Sequence, residues 1–142
     1  MDISSIVKAD AIKVVGKVTS KKRLFQTLGE IAESVYGISA DAAIEALVER
    51  ENLGPTAVGH GVALPHARLE GVEHVVGAFI RLESPLDFDA ADRQGVDLVL
   101  ALFAPANAGA EHLKALALAS RTLRDGSVCN KLRANGQVAT LH

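Results

Sequence analysis

The sequence predicts a layered α/β domain, with helices packed on a largely buried sheet, and three observations carry that expectation. Stretches with helical periodicity alternate along the chain with short apolar runs of strand length. One of these runs, VDLVLALFA from Val96 to Ala104, is nearly unbroken, as in a strand covered on both faces. The chain has 142 residues, 49% hydrophobic but only 4% aromatic, so it fits one domain whose core is aliphatic and alanine-rich.

Taken in order, AIKVVGKV (Ala11 to Val18) reads as a first strand. Thr19 or Ser20 caps a helix through KKRLFQTLGEIAESVYG, where Leu24, Leu28, Ile31 and Val35 recur at helical spacing, and Gly37 stops it. Ser39 caps a second helix, ADAAIEALVEREN, with Ala43, Ile44, Leu47 and Val48 on one face. Leu53, Gly54 and Pro55 end it, leaving Arg50 and Glu51 near its C-terminus. Val58 to Arg68 reads as extended and glycine-punctuated. Pro65 biases Leu64 away from helix and cannot donate to a ladder, which puts His66 at a strand end or in a loop.

HVVGAFIRL (His74 to Leu82) and the Val96 run read as strands, separated by the polar, turn-rich ESPLDFDAADRQG. A helix is expected from about Ala110 to Arg124, apolar almost all round at ALALA, and SVCNKLRANG adds a shorter one, with Gly126 and Gly136 punctuating the ends. No internal repeat, low-complexity segment or linker interrupts the pattern, so residues 1–142 read as a single domain.

Composition excludes several function classes. The formal net charge is -2 with both signs interleaved, so there is no basic field to neutralise nucleic-acid phosphates, and no nucleic-acid partner is expected. The one cysteine, Cys129, has no internal disulfide partner and reads as a packed small apolar residue; MDISSIVKAD lacks the features of a secretory signal. A reducing cytoplasm is the expected location. The longest apolar run, Val96 to Ala106, carries Asp97 and falls well short of the roughly 20 residues of a membrane helix, so no membrane insertion is expected.

GHGVALPHARLEG, Gly59 to Gly71, holds the candidate chemistry. If that stretch is extended, His60 and His66 lie about 20 Å apart at ~3.3 Å per residue, too far to share a metal unless the chain turns back sharply. HExxH and CxxC spacings are absent, which disfavours zinc and leaves no metal or cofactor expected. Ser20, Ser39, Ser84 and Ser120 all read as caps, turns or helix positions, and GxSxG is missing, so no serine nucleophile is nominated. Gly59 to Gly61 gives only GxG, and no GxxxxGK[ST] exists, so nucleotide-binding motifs fail too. What remains is a histidine in a backbone-rich loop able to surround an oxyanion, a layout suited to phosphoryl transfer in which a neutral ring nitrogen attacks phosphorus. A loop histidine with a merely structural hydrogen bond is the alternative from the residues alone.

RENLGPTAVGHGVALPHARLEGVEHVVGAF, followed by LDFDAADRQGVDLVLALFAPANAGAEHLKALALASRTL, resembles enzyme IIA of the sugar phosphotransferase system, fructose and mannitol type, and within it the nitrogen-type regulatory branch. The combination of REN-G-T, G-G-A-PH and EHL at these separations is more specific than any one motif, and the likeness spans nearly the full chain. The resemblance implies a mixed, mostly parallel sheet flanked by helices. It implies that His66 is the phosphorylated histidine, that His112 is a second active-site histidine stabilising the phosphoryl group, and that Arg50 and Thr56 border the same pocket. It implies a phosphorylated HPr-like carrier as donor, no metal, and regulatory targets such as potassium transporters or sensor kinases.

The alternative is a sugar-specific IIA relaying phosphate to a IIB permease domain. His60 falls at a position that varies in the family and reads as a rim residue outside the chemistry. Arg68 reads either as a cation attracting the phosphoryl group or as a solvated charge, and His74 has no evident partner. Three features depart from the family pattern: Ala67 stands where glycine usually follows the phosphorylated histidine, Gly95 where proline is common, and the chain stops at His142, short of a usual final helix.

Overall fold

A short helix α1 (Ile3–Ile6) leads into β1 (Val7–Val15), followed by α2 (Lys21–Tyr36) and α3 (Ala40–Leu53). Then come β2 (Ala57–Gly59), β3 (Val62–Ala63), β4 (His66–Leu69), β5 (Val76–Leu86) and β6 (Val96–Pro105), and finally α4 (Ala110–Arg124) and α5 (Gly126–Asn135). The structure, a computed structural model, describes residues 3–90 and 92–135. The expected punctuation at Gly136 and the chain end lie outside the described residues.

The strands form one mixed sheet in the order β1-β5-β6-β3-β2, with β4 also on β6. The pairings β1 with β5, β3 with β6 and β4 with β6 are parallel. Those of β5 with β6 and β2 with β3 are antiparallel. The expected fold class, a mixed and mostly parallel sheet flanked by helices, is therefore observed, although its longest pairing is antiparallel. In β6 every residue except Asp97 is buried, as an unbroken apolar run requires, and Leu98, Leu100 and Leu102 are wholly inaccessible. Helices α2 and α3 pack on each other, α2 also against β1 and β5, α3 against β4, and α4 against β6 and α5. Among the described residues no helix is long and apolar enough to cross a membrane.

Local chemistry explains the helix ends. Ser20 Oγ accepts from the Arg23 N–H and Ser39 Oγ from the Ala42 N–H, each satisfying a free first-turn donor. Gly37 closes α2 in the left-handed region at φ 71°. Leu24, Leu28 and Ile31 are buried as their spacing predicts, whereas Val35 is only partly so. Cys129 is buried, with its Sγ donating to the Leu123 carbonyl.

Four expectations need correction. The first strand is Val7–Val15 rather than Ala11 to Val18; it lies at the sheet edge, where Lys8 and Asp10 face solvent and erase the alternation that marks a strand. Strand β5 runs on through ESPL to Leu86, which pairs with Val96 after a register shift, instead of ending at Leu82. The helix at ALALA is one-sided: Ala115 and Ala119 are buried while Ala117 is exposed. The Val58 to Arg68 stretch is not extended throughout, because it reverses at His60 and Gly61, both at positive φ. A Cβ at Gly61 would stand 2.6 Å from Arg133 Nη2 and 2.9 Å from Asp97 Oδ1, so the turn needs glycine for space as well as conformation.

After that turn, the chain runs beside β6 in one register: Val62 faces Leu98, and His66 faces Leu102. Strands β3 and β4 are two pieces of a single course, interrupted where Pro65 lacks an N–H. Its carbonyl still takes the Leu102 N–H at 3.0 Å. The interruption fixes where His66 emerges.

Candidate active site

His66 opens β4 directly after Pro65, half-buried. Its Nδ1 lies 2.9 Å from the Leu64 carbonyl oxygen. A carbonyl only accepts, so Nδ1 carries the proton and Nε2 carries the lone pair. On the other side of the ring, Arg50 Nε donates to that lone pair at 3.2 Å, while Arg50 Nη1 donates to the Gly54 carbonyl at 3.1 Å. Arg50 comes from the last turn of α3, where the following Gly54 turns a carbonyl back toward it.

His112 lies in the first turn of α4 and is only 4% exposed. Arg68 Nε donates to its Nδ1 at 3.1 Å. The His112 proton therefore sits on Nε2, a buried atom with no hydrogen-bond partner among the described residues. The two rings meet edge to face with centroids 5.4 Å apart. Burial holds the His66 pKa below its ordinary value, and the Arg50 and Arg68 cations lower it further against the opposing pull of the Leu64 carbonyl and Glu51. Burial lowers His112 likewise, helped by His66 and Arg68. Both rings are neutral at pH 7, one presenting a lone pair and the other an N–H.

These groups line an open cleft of about 550 Å³ whose apolar sides include Leu53, 84% exposed, and Leu113, 64% exposed. The cleft brings together three of the four site residues that the resemblance implied, His66, His112 and Arg50, and Arg68 lines it as well. Thr56 stands behind them and does not line the cleft. It is 6% exposed, its Oγ1 donates to Glu51 Oε1 at 2.6 Å, and its N–H donates to Glu51 Oε2 at 3.2 Å. The Thr56 carbonyl accepts the Leu64 N–H at 3.0 Å, so Thr56 braces the residue whose own carbonyl orients His66.

Sequence reasoning missed Glu51 as a brace. Its carboxylate, nearly buried, also pairs with Lys21 Nζ at 2.9 Å; the only available signal was its place beside Arg50. Arg68, left open, lies two residues beyond His66 on the same strand face. His60 stays apart from the cleft, exposed at its turn with its N–H donating to Asp92 Oδ2 at 2.9 Å. Ala67 is extended, pairs with Phe103 and is buried, so this position does not require glycine. At Gly95 a Cβ would stand 2.7 Å from Pro85 Cβ, and the absence of a side chain there is explained by that contact. Among the described residues no group of three or more His, Cys, Asp or Glu side chains is placed to hold a metal.

The family model described as phosphoenolpyruvate-dependent sugar phosphotransferase system, EIIA 2, matches residues 5–142. A nitrogen regulatory protein of Bradyrhizobium diazoefficiens is 46% identical over 142 residues, covering 100% of this chain and 93% of that protein. A PTS system fructose-specific EIIA component of Haloferax volcanii is 34% identical over 92% of this chain and 86% of its own length. The crystal structure of the nitrogen regulatory protein IIA-Ntr from Neisseria meningitidis superposes with a TM-score of 0.88 at 36% identity, covering 99% of each chain.

Proposed function

The chain belongs to the EIIA 2 family of the phosphoenolpyruvate-dependent sugar phosphotransferase system, and from that membership we propose that it is a histidine phosphocarrier of the nitrogen-regulatory kind, accepting its phosphoryl group on His66 Nε2. Family membership and the nitrogen-regulatory relatives support a regulatory phosphocarrier of this system. The observation that carries the finer assignment is the pair of neutral rings, edge to face with centroids 5.4 Å apart, in which His66 carries an Nε2 lone pair and His112 a buried Nε2–H without a partner among the described residues.

In the transfer, the His66 Nε2 lone pair attacks phosphorus in a phosphohistidine of an HPr-like donor. A new N–P bond forms as the donor's N–P bond breaks, and the donor imidazole leaves with the electron pair. Arg50 Nε occupies that lone pair in the resting site, so its guanidinium must turn aside for the attack, toward the phosphoryl oxygens. The Nδ1–H bond to Leu64 supports the positive charge that grows on the ring as the new bond forms. His112 Nε2–H gains a partner in an equatorial oxygen. No metal or cofactor enters the scheme, and residues 1–142 act as one domain.

Phosphorylation adds about two negative charges beside exposed Leu53 and Leu113, enough for a partner to distinguish the two forms. The partners are the phosphorylated HPr-like carrier on one side and regulated proteins such as potassium transporters or sensor kinases on the other. The fructose-specific relative supports a second reading, relay of the phosphate to a sugar permease's IIB domain.

Incubation with a labelled phospho-HPr-type donor tests the assignment. An acid-labile, base-stable label is expected on the protein and absent from His66→Ala; label that persists in that variant would overturn it. Binding assays with phosphorylated, unphosphorylated and His66→Ala protein then separate a switch from a relay. A partner indifferent to all three forms, together with rapid drainage of label to a IIB domain, favours relay.

A further inference from the structure

We infer that Arg68 is a positioning residue for phosphoryl transfer: by donating to His112 Nδ1 it fixes the His112 proton on Nε2 and holds that N–H at the place where the phosphoryl group arrives. The inference deepens the phosphocarrier assignment and rests on it.

Along β4 the burial alternates, with Ala67 and Leu69 buried and His66 and Arg68 on the more open face. Side chains two apart on a strand point the same way, so the nucleophile and this guanidinium leave the sheet side by side. Helix α4 delivers His112 above them, and its ring lies edge-on to His66 at 5.4 Å while its Nδ1 meets Arg68 Nε at 3.1 Å.

Arginine carries donors only and stays protonated at any pH a protein tolerates. A ring nitrogen facing it must supply a lone pair. That removes one of the two neutral tautomers of His112 and also disfavours its doubly protonated form. The surviving proton, on Nε2, is buried without a partner among the described residues, an arrangement that folded proteins seldom leave standing except where a ligand completes it. The adjacent His66 Nε2, already assigned as the attacking atom, identifies that ligand chemically as a phosphoryl oxygen.

Arg68 does not merely add charge. Its Nε, the atom nearest the side-chain stem, makes the contact, so the guanidinium is anchored to the ring instead of reaching freely into the cleft. The effect on proton location follows in the same direction as the lowered His112 pKa, to which Arg68 contributes.

Nitrogen-15 NMR of the unphosphorylated protein reads His112 directly. In the unsubstituted protein at neutral pH, Nε2 is expected as the protonated nitrogen and Nδ1 as the bare one. In Arg68→Met the two nitrogen shifts are expected to move toward each other as the ring exchanges tautomers, with the ring protonating at higher pH. Arg68→Lys, which keeps a cationic N–H donor, should restore much of the original pattern. Phosphoryl acceptance from a phospho-HPr-type donor should slow by roughly tenfold in Arg68→Met, with partial rescue in Arg68→Lys.

An unchanged His112 tautomer and pH titration in Arg68→Met would overturn the inference. A slowed transfer with unchanged His112 signals would overturn it too, because Arg68 would then act on the phosphoryl group directly. Arg68 is exposed, and the substitution removes no core contact, so the fold is expected to persist. If the unsubstituted protein takes no label at all, the phosphocarrier assignment fails, while the tautomer measurement still decides what Arg68 does to His112.

Discussion

His66 and His112 are held neutral by burial and by the cations Arg50 and Arg68, with Glu51 pulling the other way on His66. Folded, both rings bind protons less readily than in the unfolded chain, where the pKa is about 6.5. Acid therefore loads the unfolded state first, and the stability associated with these rings is complete above about pH 6.5 and declines as the pH falls below it. Urea unfolding midpoints should drop between about pH 7.5 and 5.5, and a His66→Gln, His112→Gln variant should lose less across that interval; equal slopes in the two proteins would assign the acid sensitivity elsewhere. Arg50→Ala uncaps the His66 lone pair and removes a cation, so the His66 pKa should rise. Phosphoryl acceptance should nevertheless fall by about a hundredfold, since losing a charge-stabilising donor outweighs freeing the nucleophile. A pH titration of His66 by NMR and a single-turnover labelling rate measure the two effects separately, and faster labelling would mean that Arg50 only blocks the ring.

At the scale of elements, capping and close packing decide what forms and where. The ends of α2 and α3 were legible in the sequence because the signals are local: Ser20 and Ser39 satisfy first-turn donors, and Gly37 and Gly54 follow the last helical residues. The first strand was not legible, since β1 is an edge strand whose exposed polar positions carry no alternation, and its pairing to β5 is long-range. The reversal at His60 was missed for another reason: a non-glycine at φ 57° is held there by the Asp92 carboxylate and the neighbouring Gly61, none of which is adjacent to a recognisable hairpin signature. Gly29, in the middle of α2, offers a direct test of packing against propensity. Alanine would favour the helix by about 1 kcal/mol. Its Cβ, however, would stand 2.7 Å from Ile44 Cγ1 and 3.0 Å from the Ala40 carbonyl oxygen on α3, and the backbone atom cannot move alone. Overpacking of about 1–3 kcal/mol should win, leaving Gly29→Ala less stable by about 1 kcal/mol in urea unfolding. A more stable variant would mean that α2 and α3 separate without cost.

Over the whole molecule, the site exists only because α3, β4 and α4 converge on one end of the sheet, and this explains which part of the chemistry could be read in advance. The fold class followed from patterns within short windows, which also left a loop histidine as a candidate, and the family motifs pointed to His66, His112 and Arg50. The pairing of Arg68 with His112, 44 residues apart, and the bracing of Leu64 by Thr56 and Glu51 depend on strand register and helix placement, which no window contains. The same convergence leaves Leu53, from the end of α3, and Leu113, from the start of α4, flanking the cleft while open to solvent. Neither side chain carries a group that can bond to a phosphoryl oxygen, so their role should appear in binding and not in chemistry. Leu53→Ser with Leu113→Ser should leave stability within about 0.5 kcal/mol. The double variant should raise the KM for a phospho-HPr-type donor by about tenfold while kcat holds, as expected when contacts made equally in the bound and transition states are lost. A fall in kcat at unchanged KM would instead mean that these leucines hold His66 and His112 in place, and that the donor docks on another face.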